Sequence, residues 1–183
     1  GTSYTKFLRG QTLTNIIQIE EGMLDDSDLA FLIVTKQNKI KLTSVDQFSA
    51  ITKAGLRMAV LADEDDEVIS ATLVNLTDDF RVLCFSADGR ALTLKGSDLP
   101  LLGRVTAGSK VFATRKGQAD PIVVAACPYV EGKADTVILV TSQGRGKLVN
   151  LDQFPVANRN TVGLLSAKLK EGDTVTYGGV ISQ

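Results

Sequence analysis

Leu29-Ala30-Phe31-Leu32-Ile33-Val34 is apolar at six consecutive positions, and Asn38 follows it in a short polar turn. A strand with no polar side chain on either face must be covered on both. In a chain of strands this means sheets stacked on sheets, as in a propeller, or the centre of a single sandwich. The remaining apolar stretches are of the same kind. Val68 to Val74, Phe80 to Phe85, Ile122 to Ala126 and Val137 to Val140 are short and rich in β-branched residues. They alternate with turn chemistry at Gln37-Asn38, Ala87-Asp88-Gly89 and Gln143-Gly144. Asn and Gly accept the positive φ of tight hairpins. No window of helical length has clean 3.6-residue apolar spacing; Lys53 to Leu61 is the best helical candidate, weakened by Gly55. The expected class is all-β.

An internal repeat decides between sandwich and propeller. With Asn38, Gly89 and Gly144 aligned, Val34, Phe85 and Val140 stand four residues earlier, and Thr35, Ser86 and Thr141 three earlier. Lys39, Arg90 and Arg145 stand one later; Phe48, Leu99 and Phe154 stand ten later. Gly55, Gly108 and Gly163 follow each hairpin. Asp66-Glu67-Val68-Ile69 closes the first copy and Gly172-Asp173-Thr174-Val175 the last, while the middle copy keeps Ile122-Val123-Val124. Units of about 50 residues with four strands have the size of propeller blades, and each needs its neighbour to bury its faces. Thr12 to Asp28 reads as the tail of another unit. The expected division is one domain over 1–183, with a partial blade at about 5–27 and blades at about 28–79, 80–135 and 136–183.

The chain of 183 residues is 44% hydrophobic, which argues against disorder. It has no His and no Trp. Imidazole-dependent hydrolysis and carboxylate–His zinc sites are therefore excluded. Cys84 and Cys127 form neither a disulfide framework nor a CxxC clip, as expected in a reducing compartment. No apolar run approaches the roughly 18 residues of a membrane span. The first residues, Gly1-Thr2-Ser3-Tyr4, lack an initiator Met, and the chain is expected to be a piece of a longer protein. No nucleophile–base pair and no phosphate-binding Gly loop stands at recognisable spacing. No catalytic residue, metal ligand or cofactor is expected.

The repeat carries a family resemblance. Leu32 to Thr43 with Asp46-Gln47-Phe48 resembles a blade hairpin of the C-terminal domains of bacterial type II DNA topoisomerase A subunits, those of gyrase and topoisomerase IV. Asp88-Gly89-Arg90-Ala91-Leu92, Leu99-Pro100 and Gly103-Arg104-Val105-Thr106-Ala107-Gly108 fit the same pattern. So do Ser142-Gln143-Gly144-Arg145-Gly146-Lys147 and Leu169-Lys170-Glu171-Gly172-Asp173, and Leu13 to Glu20 resembles the end of an early topoisomerase IV blade. The resemblance runs from about Gly10 to Val180. It implies a β-pinwheel: a propeller-like array of four-stranded blades that exchange strands, here three repeats plus a partial one in an open arc. It also implies a non-catalytic domain that binds and bends duplex DNA on a basic outer rim. In the parent enzyme, an ATP-hydrolysing DNA isomerase, that domain would present DNA to the N-terminal cleavage domain of the same polypeptide, together with the ATPase B subunit. The implied location is the bacterial cytoplasm, at the nucleoid. The Gln- and Arg/Gly-rich box of gyrase has only a faint echo in Gln143-Gly144-Arg145-Gly146-Lys147, which sits in a hairpin turn; this favours topoisomerase IV or a divergent relative.

Charge bears on that reading. Lys plus Arg number 20 and Asp plus Glu 21, a net charge of -1, and the pI near 5.5 is unlike that of a generic nucleic-acid binder. Distribution matters more. Acids gather at Asp25, Asp26 and Asp28, at Asp63 to Glu67, expected to be a solvated loop, and at Asp78-Asp79. Bases gather at Lys36, Lys39 and Lys41, at Arg104, Lys110, Arg115 and Lys116, at Arg145 and Lys147, and at Arg90. These ten are the candidate DNA contacts, to phosphates rather than bases. Lys168 and Lys170 read as ordinary solvated lysines. Phe48 and Phe154 are expected to anchor blade against blade, and Cys84 to lie in the core. The competing reading is a propeller-like protein-interaction module whose rim charge is incidental.

Overall fold

The computed structural model describes residues 26–48 and 65–182. The helical candidate at Lys53 to Leu61 and nearly all of the partial blade at about 5–27 lie outside them. The described residues form three antiparallel sheets. The first contains β1 (Leu29–Thr35), β2 (Lys39–Ser44) and β3 (Val68–Asn75). The second contains β4 (Phe80–Ser86), β5 (Arg90–Lys95) and β7 (Val123–Val130), and the third β8 (Thr136–Thr141), β9 (Gly146–Asn150) and β11 (Val175–Ile181). Two short strands cross between units. β6 (Ser109–Lys110), which follows the second hairpin, pairs with β2 of the first sheet. β10 (Leu164–Leu165), which follows the third, pairs with β5 of the second. The sheet orders are therefore β3-β1-β2-β6, β10-β5-β4-β7 and β11-β8-β9. The array is all-β, strand-exchanging and not closed.

The repeat is visible in the backbone. Asn38, Gly89 and Gly144 have φ of 72°, 90° and 78°, and each donates its N–H three residues back, to Thr35, Ser86 and Thr141 O at 3.2, 3.1 and 3.0 Å. The hydroxyls of the same Thr35, Ser86 and Thr141 accept from the N–H of Lys39, Arg90 and Arg145. The aligned Thr/Ser thus closes each turn. The first copy uses Asn rather than Gly for a tertiary reason. The buried Asn38 amide donates to Phe112 O and its Oδ1 accepts from Phe112 N, both at 2.8 Å, which ties the turn to the crossing segment. Each central strand also shifts register at its junction with the outer strand, near Thr35, Ser86 and Val175.

Consecutive apolar residues are covered on alternate sides. On β4, Val82 and Cys84 join Leu32, Val34, Ile40 and Leu42 of the first sheet. Leu83 and Phe85 face the other way, onto Val137, Leu139 and Val149 of the third. Phe154 belongs to this second interface. Among the described residues Phe48 lies edge-on to Phe31 with ring centroids 5.1 Å apart and beside Ile33 and Val45, on the face of β1 opposite the first interface. Cys84 is buried, and burial drives its thiol pKa up to about 12.

Candidate nucleic-acid interface

Backbone hydrogen bonds chain the three hairpin tips along one rim. Lys36 O, in the first tip, accepts from Val123 N at 2.9 Å, and Val123 is the register partner of Ser86 in the second tip. Ala87 O in the second tip accepts from Val175 N at 2.9 Å, and Val175 is the partner of Thr141 in the third. Each tip also donates a bond toward its own outer strand: Lys36, Ala87 and Ser142 N–H donate to Glu67, Ile122 and Thr174 O. Lys39, Arg90 and Arg145 therefore occupy matched places on a continuous edge.

Two aspartates latch this edge. Asp66 Oδ1 accepts from Gln37 N at 2.8 Å, and Asp173 Oδ1 accepts from Gln143 N at 3.1 Å and from Ser142 Oγ at 2.8 Å. Both are buried. Asp66 thus departs from the solvated loop expected of the acidic run, because the carboxylate is needed to cap a turn N–H. Burial pushes the Asp173 carboxyl up, but hydrogen bonds from Ser142, Thr141, Gln143 and Thr174 outweigh it and hold the pKa below the usual 3.8. Pro121 takes this position in the middle copy, where no side chain can serve as latch.

The ten candidate contacts divide. Lys36 is exposed and lies 3.8 Å from Glu67. Lys39 is half-buried and faces Lys110 across the β2–β6 pair. Lys110 is paired with Asp120 at 3.2 Å; a hydrogen bond from Thr114 outweighs the desolvation that pushes the Asp120 carboxyl up, and Lys110 and Lys39 add to holding it low. Arg115, Lys116, Arg145 and Lys147 are exposed. Arg104 is half-buried on the loop that crosses to the first sheet.

Two residues correct the sequence reading. Lys41 is 0% exposed. Its Nζ donates to Gly103, Arg104 and Thr106 O at 2.9, 3.1 and 2.9 Å, so it has no reach to a phosphate. Arg90 is 9% exposed. Its Nε donates to Asp88 Oδ2 at 2.9 Å and its Nη1 to Val162 O, which leaves the guanidinium folded against its own turn. Both are fixed by groups from the next repeat or the turn itself, which spacing within one copy does not reveal.

Two other cations join the edge unanticipated. Gly89 O accepts from Ser166 N at 2.7 Å, and a Cβ on Gly89 would lie 3.1 Å from Ala167 O. The exposed Lys168 and Lys170 follow directly. The signal lay in a second internal match. Arg115-Lys116-Gly117 and Lys170-Glu171-Gly172 form the same turn, with glycine φ of 77° and 78° and bonds to Arg115 and Lys170 O of 3.0 Å. Among the described residues Lys39, Arg115, Lys116, Arg145, Lys147, Lys168 and Lys170 make no ion pair.

Stacked antiparallel sheets that trade edge segments, with hairpin tips on a common rim, define a strand-exchanging repeat domain of the propeller class. The chain belongs to the family of the DNA gyrase C-terminal domain, beta-propeller, whose sequence model matches residues 30–75, 81–125 and 135–182. It is 27% identical over 188 residues to the DNA gyrase A subunit of Escherichia coli K12, covering 96% of this chain and 20% of that protein. It is 31% identical over 150 residues to the DNA gyrase A subunit of Lawsonia intracellularis, covering 81% of this chain and 17% of that protein. The chain thus spans about a fifth of the length of these relatives. In fold it is similar to a C-terminal domain of DNA topoisomerase IV, with a TM-score of 0.74, 22% identity, and coverage of 86% of this chain and 48% of that one. A DNA gyrase A C-terminal domain superposes with a TM-score of 0.50 at 15% identity, covering 95% and 76%.

Proposed function

We propose that the rim binds duplex DNA through its phosphates and bends it. The observation that supports this reading is the chaining of the three tips by backbone hydrogen bonds, which is consistent with a row of cations from successive units along one edge. Lys39, Arg115 and Lys116 lie at its first part, Lys168 and Lys170 at the second tip, and Arg145 at the third. Lys36 and Lys110 contribute at lower effective charge, because Glu67 and Asp120 hold them, and the half-buried Arg104 contributes from the crossing loop. Lys41 and Arg90 support the edge rather than touch the ligand. Engagement of about six phosphates corresponds to a log–log salt slope of roughly -5. Bending costs on the order of 1–6 kcal/mol, and Glu67, Asp88 and Asp120 on the same edge weaken the hold.

In this reading the domain is a non-catalytic part of the A subunit of a type II DNA topoisomerase, cytoplasmic and nucleoid-associated. It delivers duplex to the cleavage domain of the same polypeptide, with the B subunit supplying ATP hydrolysis. Blades at about 28–79, 80–135 and 136–183 follow from the same reading, with a partial one before them. The lack of a gyrase-type box within these 183 residues favours topoisomerase IV or a divergent relative. The test is fluorescence anisotropy with a linear duplex at several salt concentrations, on the native chain and on a variant with Lys39, Arg145, Lys168 and Lys170 all changed to Ala. The variant should bind more weakly and with a slope flatter by up to about 3–4, at roughly 0.9 per lost phosphate contact. No binding by the native chain at low salt would leave the protein-interaction module as the better reading.

A further inference from the structure

The two crossing segments form matched loops. Thr106 Oγ1 donates to Gly103 O at 2.8 Å in the first, and Thr161 Oγ1 to Asn158 O at 2.9 Å in the second. Leu101 and Val156 enter the loops in parallel bridges to Leu42 and Thr93. Gly108 and Gly163 leave them with φ of 103° and 83°. A Cβ on either glycine would strike the strand beneath, at 2.7 Å from Ile40 O and 2.8 Å from Ala91 O.

What the loops enclose differs. The first holds the Lys41 ammonium, which donates to Gly103, Arg104 and Thr106 O. Lys41 stands three residues after Asn38; the residue three after Gly89 is Leu92, which brings no donor. Under the second loop lies an open cavity of about 450 Å³. Leu92, Phe154, Val162 and Leu164 give it apolar walls, and it is also lined by Asn158 and Thr161, the counterparts of the Gly103 and Thr106 that hold Lys41. Asn158 O accepts from Thr161 Oγ1, but sharing is no bar to an ammonium: Gly103 O accepts from both Thr106 Oγ1 and Lys41 Nζ, because a carbonyl has two lone pairs. Nor is a neighbouring cation. Burial, and then Arg104, lower the Lys41 pKa only to about 8, so the first loop holds an ammonium at neutral pH beside the residue matched to Arg159. Arg159 itself sends Nη1 to Lys110 O at 3.4 Å.

We infer that the cavity under the second crossing loop binds a primary alkylammonium with a stem like that of a lysine side chain, seated on the Asn158, Arg159 and Thr161 carbonyls as Lys41 is seated in the first loop. The apolar walls cover the stem, as apolar surface covers lysine stems generally. The carbonyls take the N–H donors, of which an ammonium has no fewer than it needs. The inference is independent of DNA binding.

The test titrates the native chain with n-butylammonium chloride and follows amide shifts. Saturating shifts are expected in residues 154–164, at the roughly millimolar affinity open to so small a ligand. n-Butanol has the stem without the charge and should bind about tenfold more weakly, the scale of one charged hydrogen bond. Tetramethylammonium has the charge without the donors and should not bind. Leu92→Lys supplies the ammonium from the chain itself and should abolish the shifts. Lys41→Ala should open a second site, with n-butylammonium then shifting residues 103–106 as well. Nα-acetyl-lysine methylamide separates two sources of the same chemistry. Saturating shifts from it too would assign the cavity to a lysine side chain of another protein, and shifts from n-butylammonium alone to a free amine. No saturating shift in residues 154–164 of the native chain would overturn the inference, as would n-butanol binding as tightly as n-butylammonium. So would unchanged shifts in a folded Leu92→Lys variant, or no new site in a folded Lys41→Ala variant. Should Leu92→Lys not fold, the comparison of n-butylammonium with n-butanol on the native chain decides.

Discussion

Lys41→Met isolates one ammonium. Methionine keeps most of the stem volume and removes only the group that donates to Gly103, Arg104 and Thr106 O. A buried acceptor stripped of its donor costs about 1 kcal/mol or more, so three carbonyls that keep partial access to water predict a loss of about 2–3 kcal/mol at pH 7. The pH dependence is a second, independent readout. Burial, and then the charge of Arg104, lower the Lys41 pKa from 10.5 to about 8. Between those values the unfolded chain binds a proton that the folded chain does not. Stability from this group therefore rises with pH across the window. The full interval sets an upper bound of roughly 3.5 kcal/mol at about 1.4 kcal/mol per unit, less whatever solvent screens. The methionine variant has no such slope. Urea unfolding of both proteins at pH 7 and pH 10 should show a difference that widens with pH, and amide exchange should show loss of protection in residues 103–106. Equal stability at pH 7, or a difference constant with pH, would refute the account of Lys41 as a buried charge holding the crossing segment.

Three further outcomes follow from the same structure. Gly108→Ala should cost more than Gly144→Ala by about 1–3 kcal/mol on thermal unfolding; both have positive φ, but only at Gly108 would the new Cβ strike backbone, while Gly144 has nothing within 4 Å. Equal costs would mean that the crossing segment does not lie against Ile40. Asp173→Asn should flatten the acid limb of the stability curve. The depressed Asp173 pKa gives stability that is present above about pH 3.8 and lost as pH falls toward the folded value; an unchanged acid limb would remove Asp173 as the latch. Alkylation of the native chain at pH 8 should modify Cys127 before Cys84, whose thiol is buried with its pKa raised to about 12. Equal labelling rates would show that the first interface opens readily.

Much of the architecture was legible along the chain. Six apolar residues from Leu29 to Val34 required cover on two sides, and β1 and β4 have it. The alignment of Asn38, Gly89 and Gly144 located three positive-φ turns, because that backbone region selects residue type locally. The placement of Lys39, Arg90 and Arg145 on one edge followed from the same alignment.

The fate of individual side chains was not legible, because it depends on groups far along the chain. Lys41 and Lys147 hold the same position in their copies, yet one is sealed under residues 103–106 and the other faces solvent. Arg90 and Arg145 are likewise matched, but Asp88 and Val162 O fold only the first back on itself. Spacing within a repeat sets backbone conformation and the face a residue occupies. Which charge stays free for a ligand is decided by the neighbouring unit, whose carbonyls and carboxylates arrive only when the sheets stack.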